Sequence, residues 1–224
     1  MTQKGASALA VKFYVKGYKK LEKELDNLKK APRTVLNRTL SDVKKRAPSW
    51  VAAEVVKQYG IKKKEIGDGK TSTLKVEGDS VKEVQLIYRG RVLTPTHFSM
   101  SPKAPKESYT LKAEIIKGQR TVLGKVKKLT KKQRAALGKN LRKEGTRSSD
   151  HSPIMLMRTG SQRADGTSYI PFQRKSTNRK DIQAIKTVSV PQMIDNERTA
   201  PNISAAINEN LTKRLDHHMK LLEK

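Results

Sequence analysis

Three features of this sequence predict an α+β fold. The hydrophobic period changes from strand-like to helical near residue 18, alternation returns after residue 72, and a second helical stripe begins at Ile203. Residues 9–16, Leu-Ala-Val-Lys-Phe-Tyr-Val-Lys, mix apolar and basic side chains and predict a short strand closed by Gly17. Tyr18, Leu21, Leu25 and Leu28 then recur at spacings of three and four, which puts them on one helical stripe. Pro32 suits the first turn of a second helix, where the N–H it lacks would have no partner. Val35, Leu36, Leu40, Val43 and Ala47 carry that stripe until Pro48 punctuates it. Trp50, Val51, Val55 and Val56 form a third helical face ending at Tyr59-Gly60. Ile61 to Ile66 adds one more turn before Gly67-Asp68-Gly69.

From residue 72 the pattern is β. Thr73 to Glu77 alternates, Gly78-Asp79 turns, and Val81 to Tyr88 alternates again, which predicts a hairpin. Residues 94–107 hold Pro95, Pro102 and Pro105 and are expected to be irregular. Ser108 to Val122 resumes as strands with a turn at Gly118, and Ile154–Arg158 and Ile182–Val188 predict two further short strands. After Pro191 the helical period returns, with Ile203, Ile207, Leu211, Leu215, Met219 and Leu222 on one stripe. That stripe is expected to pack within its own fold. The whole reads as a single domain, 1–224: an N-terminal strand and long helices, a central, mainly antiparallel sheet, a basic insertion and a long C-terminal helix.

The insertion, at about 117–150, differs in kind. Between Lys117 and Arg147 the sequence holds 12 Lys and Arg against one acid, Glu144, a local balance of +11. Leu129, Ala136 and Leu137 make no core face, so residues 123–150 read as an exposed arm. Lys125, Lys127, Lys128, Lys131, Lys132, Arg134, Lys139, Arg142, Lys143 and Arg147 are the candidate contacts to an anionic partner.

The same bias marks the whole chain. Its 224 residues carry 49 Lys and Arg against 21 Asp and Glu, a formal charge of +28, and the isoelectric point is about 10.3. Nucleic acid, an acidic protein surface or a membrane face would each satisfy such a charge. Hydrophobic residues are 35% and aromatics 4%, which implies a modest core. Without cysteine there are no disulfides or thiolate metal sites. No apolar run reaches 18 residues, so no membrane span is expected. Met1 to Ala10 lacks the apolar segment of a signal peptide, and the chain is expected to stay in the cytoplasm.

Catalytic chemistry finds little footing. His217-His218 sits on the terminal helix, where adjacent positions point apart and cannot form an i, i+4 metal pair; surface histidines complementing the helix dipole are the plainer reading. His97 reads as loop packing, and Asp150-His151 has no nucleophile or third partner in a recognisable motif. Asp68, Glu77, Asp79 and Glu83 are the densest acids, but a hairpin scatters them over two faces and a turn, unlike the clustered ligands of a metal nuclease. Gly67-Asp68-Gly69-Lys70 lacks P-loop spacing. No enzyme, cofactor or metal is expected. Three Phe, six Tyr and one Trp leave little for base-stacking platforms, so any nucleic-acid binding would be of the backbone, electrostatic kind.

The order of segments carries a resemblance. Val15-Lys16-Gly17 runs at once into Tyr18-Lys19-Lys20-Leu21-Glu22-Lys23-Glu24-Leu25, and Leu36-Asn37-Arg38-Thr39-Leu40 opens a helical stretch reaching Tyr59 to Ile66. Leu93 to Phe98, Ile154–Arg158, Tyr169-Ile170-Pro171 and Ser189-Val190-Pro191-Gln192-Met193 follow. This succession, over nearly the whole chain, is similar to the minor tail protein Z family of tailed bacteriophages and prophages. The match lies in order and spacing, and the long basic segment at 123–150 departs from the family's shorter one. The resemblance implies a structural virion protein, assembled in the host bacterial cytoplasm, that completes the head-proximal end of a phage tail or phage-tail-like particle. It implies a homo-oligomeric, hexameric ring in the neck that helps join tail to head. Expected partners are a tail terminator, tail tube or head connector, with DNA in the channel as a further contact. The alternative is a non-specific nucleic-acid-binding protein using Lys and Arg contacts to phosphates.

Overall fold

The structure, a computed structural model, describes residues 7–12, 32–77, 84–106, 108–126, 154–158, 169–174 and 181–221. It is α+β. In chain order the elements are β1 (Ser7–Lys12), α1 (Pro32–Gln58), β2 (Ser72–Glu77), β3 (Gln85–Gly90), β4 (Ser99–Ser101), β5 (Tyr109–Glu114), β6 (Thr121–Val126), β7 (Ile154–Arg158), β8 (Tyr169–Arg174), β9 (Ile182–Ala184), α2 (Val190–Ile194) and α3 (Ala200–Lys220). Single 3-10 turns occupy Lys63–Glu65 and Pro95–His97. The helix expected from Tyr18 to Leu28 lies outside the described residues. The strands form three antiparallel sheets of three, ordered β1-β3-β2, β4-β5-β6 and β7-β8-β9. The chain divides into two compact units, one drawn from Met1–Gln58, Lys62–Val92 and Ser189–Lys224, the other from Tyr59–Ile61 and Leu93–Val188.

In the first unit, one helix stands where two were expected, with Pro48 inside it. An interior proline removes a helix hydrogen bond and crowds the preceding turn, at a cost of about 3 kcal/mol. The row Val35, Thr39, Val43, Ala47, Val51 and Val55 is buried without interruption on both sides of Pro48. Fully burying one aliphatic side chain is worth about 1.5–3 kcal/mol, so a continuous row outweighs the proline. Helix α3 packs along α1 and presents Ile203, Ile207, Leu211 and Leu215, all buried at the same four-residue spacing. Met219 is only partly buried, and Leu222 lies outside the described residues. The expected antiparallel pair is present as β2 and β3, with Ser72 opposite Gly90 and Glu77 opposite Gln85, but the second strand starts at Gln85 instead of Val81, and the expected Gly78-Asp79 turn lies outside the described residues. Leu86 and Tyr88 of the central strand are fully buried. A capping box opens α2: the Ser189 N–H donates to Gln192 Oε1 at 2.9 Å while the Ser189 hydroxyl accepts from the Gln192 N–H. Val190, Met193 and Ile194 are thereby held in the core.

The second unit contains two corrections to the expected strands. Residues 94–107 are not wholly irregular, because β4 pairs with β5 through Ser99–Glu114, Met100–Ala113 and Ser101–Lys112. Strand β9 stops at Ala184 instead of reaching Val188, and Pro171 explains why. The Pro171 carbonyl accepts from the Ile185 N–H at 2.9 Å, but proline has no N–H to return to Ile185, so the ladder ends there. The Leu93 carbonyl accepts from the Thr187 N–H at 2.8 Å, and the Leu93 N–H donates to the Val188 carbonyl at 3.3 Å, which ties the start of this unit to its end. Its core is Met100, Leu111, Ile154 and Leu156, flanked by partly buried Tyr109, Leu123, Tyr169 and Ile185. Strand β6 pairs with β5, Leu111 opposite Gly124 and Lys112 opposite Val122, with Leu123 as the extra residue of a bulge. Gly124 has no side chain because Ile154 Cδ1 occupies the place a Cβ would take.

Candidate anionic-partner surface

Strand β6 corrects the expected boundary of the basic arm. Residues 123–126 belong to a paired strand, and Lys125 stands opposite Thr110 on that sheet instead of in a free insertion. Its side chain is exposed. Lys127, Lys128, Lys131, Lys132, Arg134, Lys139, Arg142, Lys143 and Arg147 lie outside the described residues.

Alternation along β5 puts Leu111 and Ala113 inward, both fully buried, and Lys112 outward. Two residues along the strand and one strand across, Lys125 shares that outward face, roughly 8 Å from Lys112 between Cα atoms at ordinary sheet spacings. Beyond Glu114 the chain turns through Lys117-Gly118, where Gly118 adopts φ 81°, a left-handed conformation that only glycine takes freely. Glu114 Oε1 accepts the Gly118 N–H at 2.9 Å and closes the turn. Lys117 and Arg120 are exposed on either side of it. Lys112, Lys117 and Arg120 were not among the candidate contacts read from the sequence; the alternation Leu111-Lys112-Ala113 was the signal that could have found Lys112. Among the described residues, Lys57 pairs with Glu54, Lys75 with Glu77 and Lys213 with Glu209, all at 2.6 Å or less. None of the four hairpin cations forms such a pair among the described residues.

The acidic residues do structural work. Asp68 Oδ1 accepts from the Lys70 N–H at 2.8 Å and the Thr71 N–H at 2.7 Å, with the Thr71 hydroxyl at 3.0 Å. Partial burial opposes ionisation of Asp68, but the hydrogen bonds from Thr71 and Lys70 together outweigh it and hold the carboxyl below its usual range. Glu77 is paired with Lys75, while Asp79 and Glu83 lie outside the described residues. Among the described residues no group of three or more His, Asp or Glu is placed to hold a metal ion. None of the described helices is long and apolar enough to cross a membrane.

His218 departs from its sequence reading. His217 is exposed, but His218 is 11% exposed and its Nε2 lies 3.2 Å from Asp42 Oδ2 on α1. Arg214 Nη1 lies 3.8 Å from the same oxygen. This polar cluster joins α1 to α3. Tyr88 is fully buried, its hydroxyl has no partner among the described residues, and burial pushes its pKa well above the ordinary phenol value. His97 ends the Pro95–His97 turn; its N–H donates to the Thr94 carbonyl and the following Phe98 N–H donates to the Pro95 carbonyl.

No family model, no curated protein and no solved structure matches the chain.

Proposed function

We propose that the chain is a structural protein of a phage or phage-tail-like particle, completing the head-proximal end of the tail as a ring and helping to join tail to head. One observation carries the reading: four of the segments that resemble the minor tail protein Z family, all among the described residues, are joints of the fold. Leu93 ties the two ends of the second unit together, Ile154–Arg158 supplies its core, Tyr169-Ile170-Pro171 sets where β9 stops, and Ser189–Met193 is the capped turn that leads to α3. Segments that shape a fold keep their order and spacing when surface residues change, which is why such a succession is informative. Among the described residues each three-stranded sheet ends in two edge strands, which a neighbouring copy in a closed ring could cover. The expected partners are other neck and tail proteins, and the role is one of shape and charge without chemistry.

Labelling the protein in purified particles tests this. A few copies at the head-proximal end are expected. Label along the whole tail, or at its distal tip, overturns the placement.

A further inference from the structure

We propose that the β5–β6 hairpin, with Lys112 and Lys125 on the outward face of its strands and Lys117 and Arg120 exposed at its turn, is a contact surface for the phosphate backbone of duplex DNA. The inference rests on the neck reading only for the choice of duplex DNA as the polyanion. Everything else comes from the hairpin.

Two cations project from the strands and two from the turn that joins them, and none has a carboxylate partner among the described residues. Lys57, Lys75 and Lys213 are each matched to a glutamate on their own element, whereas other exposed cations such as Lys62, Lys63 and Lys64 have no such match among the described residues, so what marks the hairpin is the density of cations on one short element. The hairpin's single acid, Glu114, is turned into the loop and holds the Gly118 N–H. Assembling four unmatched cations raises the local potential, and the surface is relieved most by a ligand of continuous negative charge.

Duplex DNA supplies one charge per about 1.7 Å of axis, so Lys112 and Lys125, roughly 8 Å apart, can meet phosphates without a fixed register, and the turn cations Lys117 and Arg120 add to the same polyanion contact. An acidic protein patch would need carboxylates matched to these positions, and the residue suited to bidentate carboxylate recognition is arginine. Here Arg120 is the one arginine of the four. The face carries no stacking group, since Tyr109 packs against the core of Met100, Leu111, Ile154 and Leu156. Binding should therefore be indifferent to base sequence. Ile116 and Val122 are exposed beside the cations, at 41% and 49%. They offer apolar contact to sugar or to lipid, but the tip between them, Lys117-Gly118-Gln119, has no apolar or aromatic residue to enter a membrane.

The experiment measures binding of the full chain to fluorescent 30-base-pair duplexes of two unrelated sequences, by anisotropy, across a salt series. The test protein carries Lys112→Gln, Lys117→Gln, Arg120→Gln and Lys125→Gln. A control protein carries Lys62→Gln, Lys63→Gln and Lys64→Gln, three exposed cations of the first unit. Circular dichroism checks that both are folded. For the wild type, equal affinity for both duplexes is expected. In the hairpin variant the log–log salt slope should be shallower by about 3.6, from about 0.9 per lost phosphate contact. The control should lose less than half as much. The proposal is overturned if wild type does not bind duplex, if the hairpin variant loses no more than the control, or if phosphatidylserine vesicles bind the hairpin face while duplex does not. Failure here leaves the particle-labelling result untouched. A hairpin that binds duplex in a protein missing from the neck would sink the placement alone.

Discussion

His218 Nε2 lies 3.2 Å from Asp42 Oδ2 across 176 residues of sequence, joining the end of α3 to the first half of α1. A carboxylate oxygen accepts, so the tautomer that forms this bond carries its proton on Nε2. Among the described residues His218 Nδ1 is buried without a partner, so the bond to Asp42 is the ring's one hydrogen bond there. Asp42→Ala and His218→Ala should each destabilise the fold by about 1–2 kcal/mol, with Asp42→Ala the worse because it leaves a buried ring with neither nitrogen bonded. The double variant should show a coupling of about 0.5–3 kcal/mol in chemical denaturation. Strict additivity would show that the pair is incidental.

Gly124 and Ile154 make a second testable pair. A Cβ at position 124 collides with Ile154 Cδ1. Gly124→Ala should cost about 1–3 kcal/mol by overpacking. Ile154→Val removes the colliding atom, so the double variant should recover much of that loss. A double variant no better than Gly124→Ala alone would place the fault in the strand backbone instead.

Asp68 gives a pH dependence of known sign. Its folded carboxyl has a lowered pKa, so its contribution is present above the unfolded value of about 3.9 and is lost as pH falls through the folded value. Asp68→Ala should lower the melting temperature at neutral pH, at a cost of about 1 kcal/mol for a lost turn-capping group. The gap between wild type and variant should close progressively below about pH 4. A gap that persists unchanged to pH 2 would mean that the carboxylate charge plays no part in the turn.

Much of the fold could be read from local pattern. The stripe from Ile203 to Leu215, the strand β2, the Gly118 turn and the strand Ile154–Arg158 stand where local pattern put them, and the antiparallel partner of β2 is present but shifted to Gln85–Gly90. Prolines misled in both directions. Pro48 reads locally as a helix stop, and only the buried row on both sides of it shows why the helix continues. Pro171 lies in a central strand, where local rules disfavour it, and it is tolerated because the missing N–H faces the point where β9 ends. The candidate surface was half legible. Charge density drew attention to 117–147, but strand register decides which cations share a face, and that brought in Lys112 and placed Lys125 on β6. The Asp42–His218 pair had no sequence signal, because nothing local links residues so far apart.

The division of the chain has a consequence for the order of events on the ribosome. The second unit is almost one continuous stretch, Leu93–Val188 with Tyr59–Ile61, whereas the first needs Ser189–Lys224 to complete it. Helix α1 ends at Gln58, but its partner α3 begins only at Ala200. At about 5–20 residues per second, the apolar row from Val35 to Val55 waits roughly 7–30 s for the side chains that cover it. During that interval the later-coded unit can close first, and the earlier-coded one remains exposed to chaperones and proteases. A nascent chain stopped before Ala200 would then be half a protein, with its second core complete and its first still open.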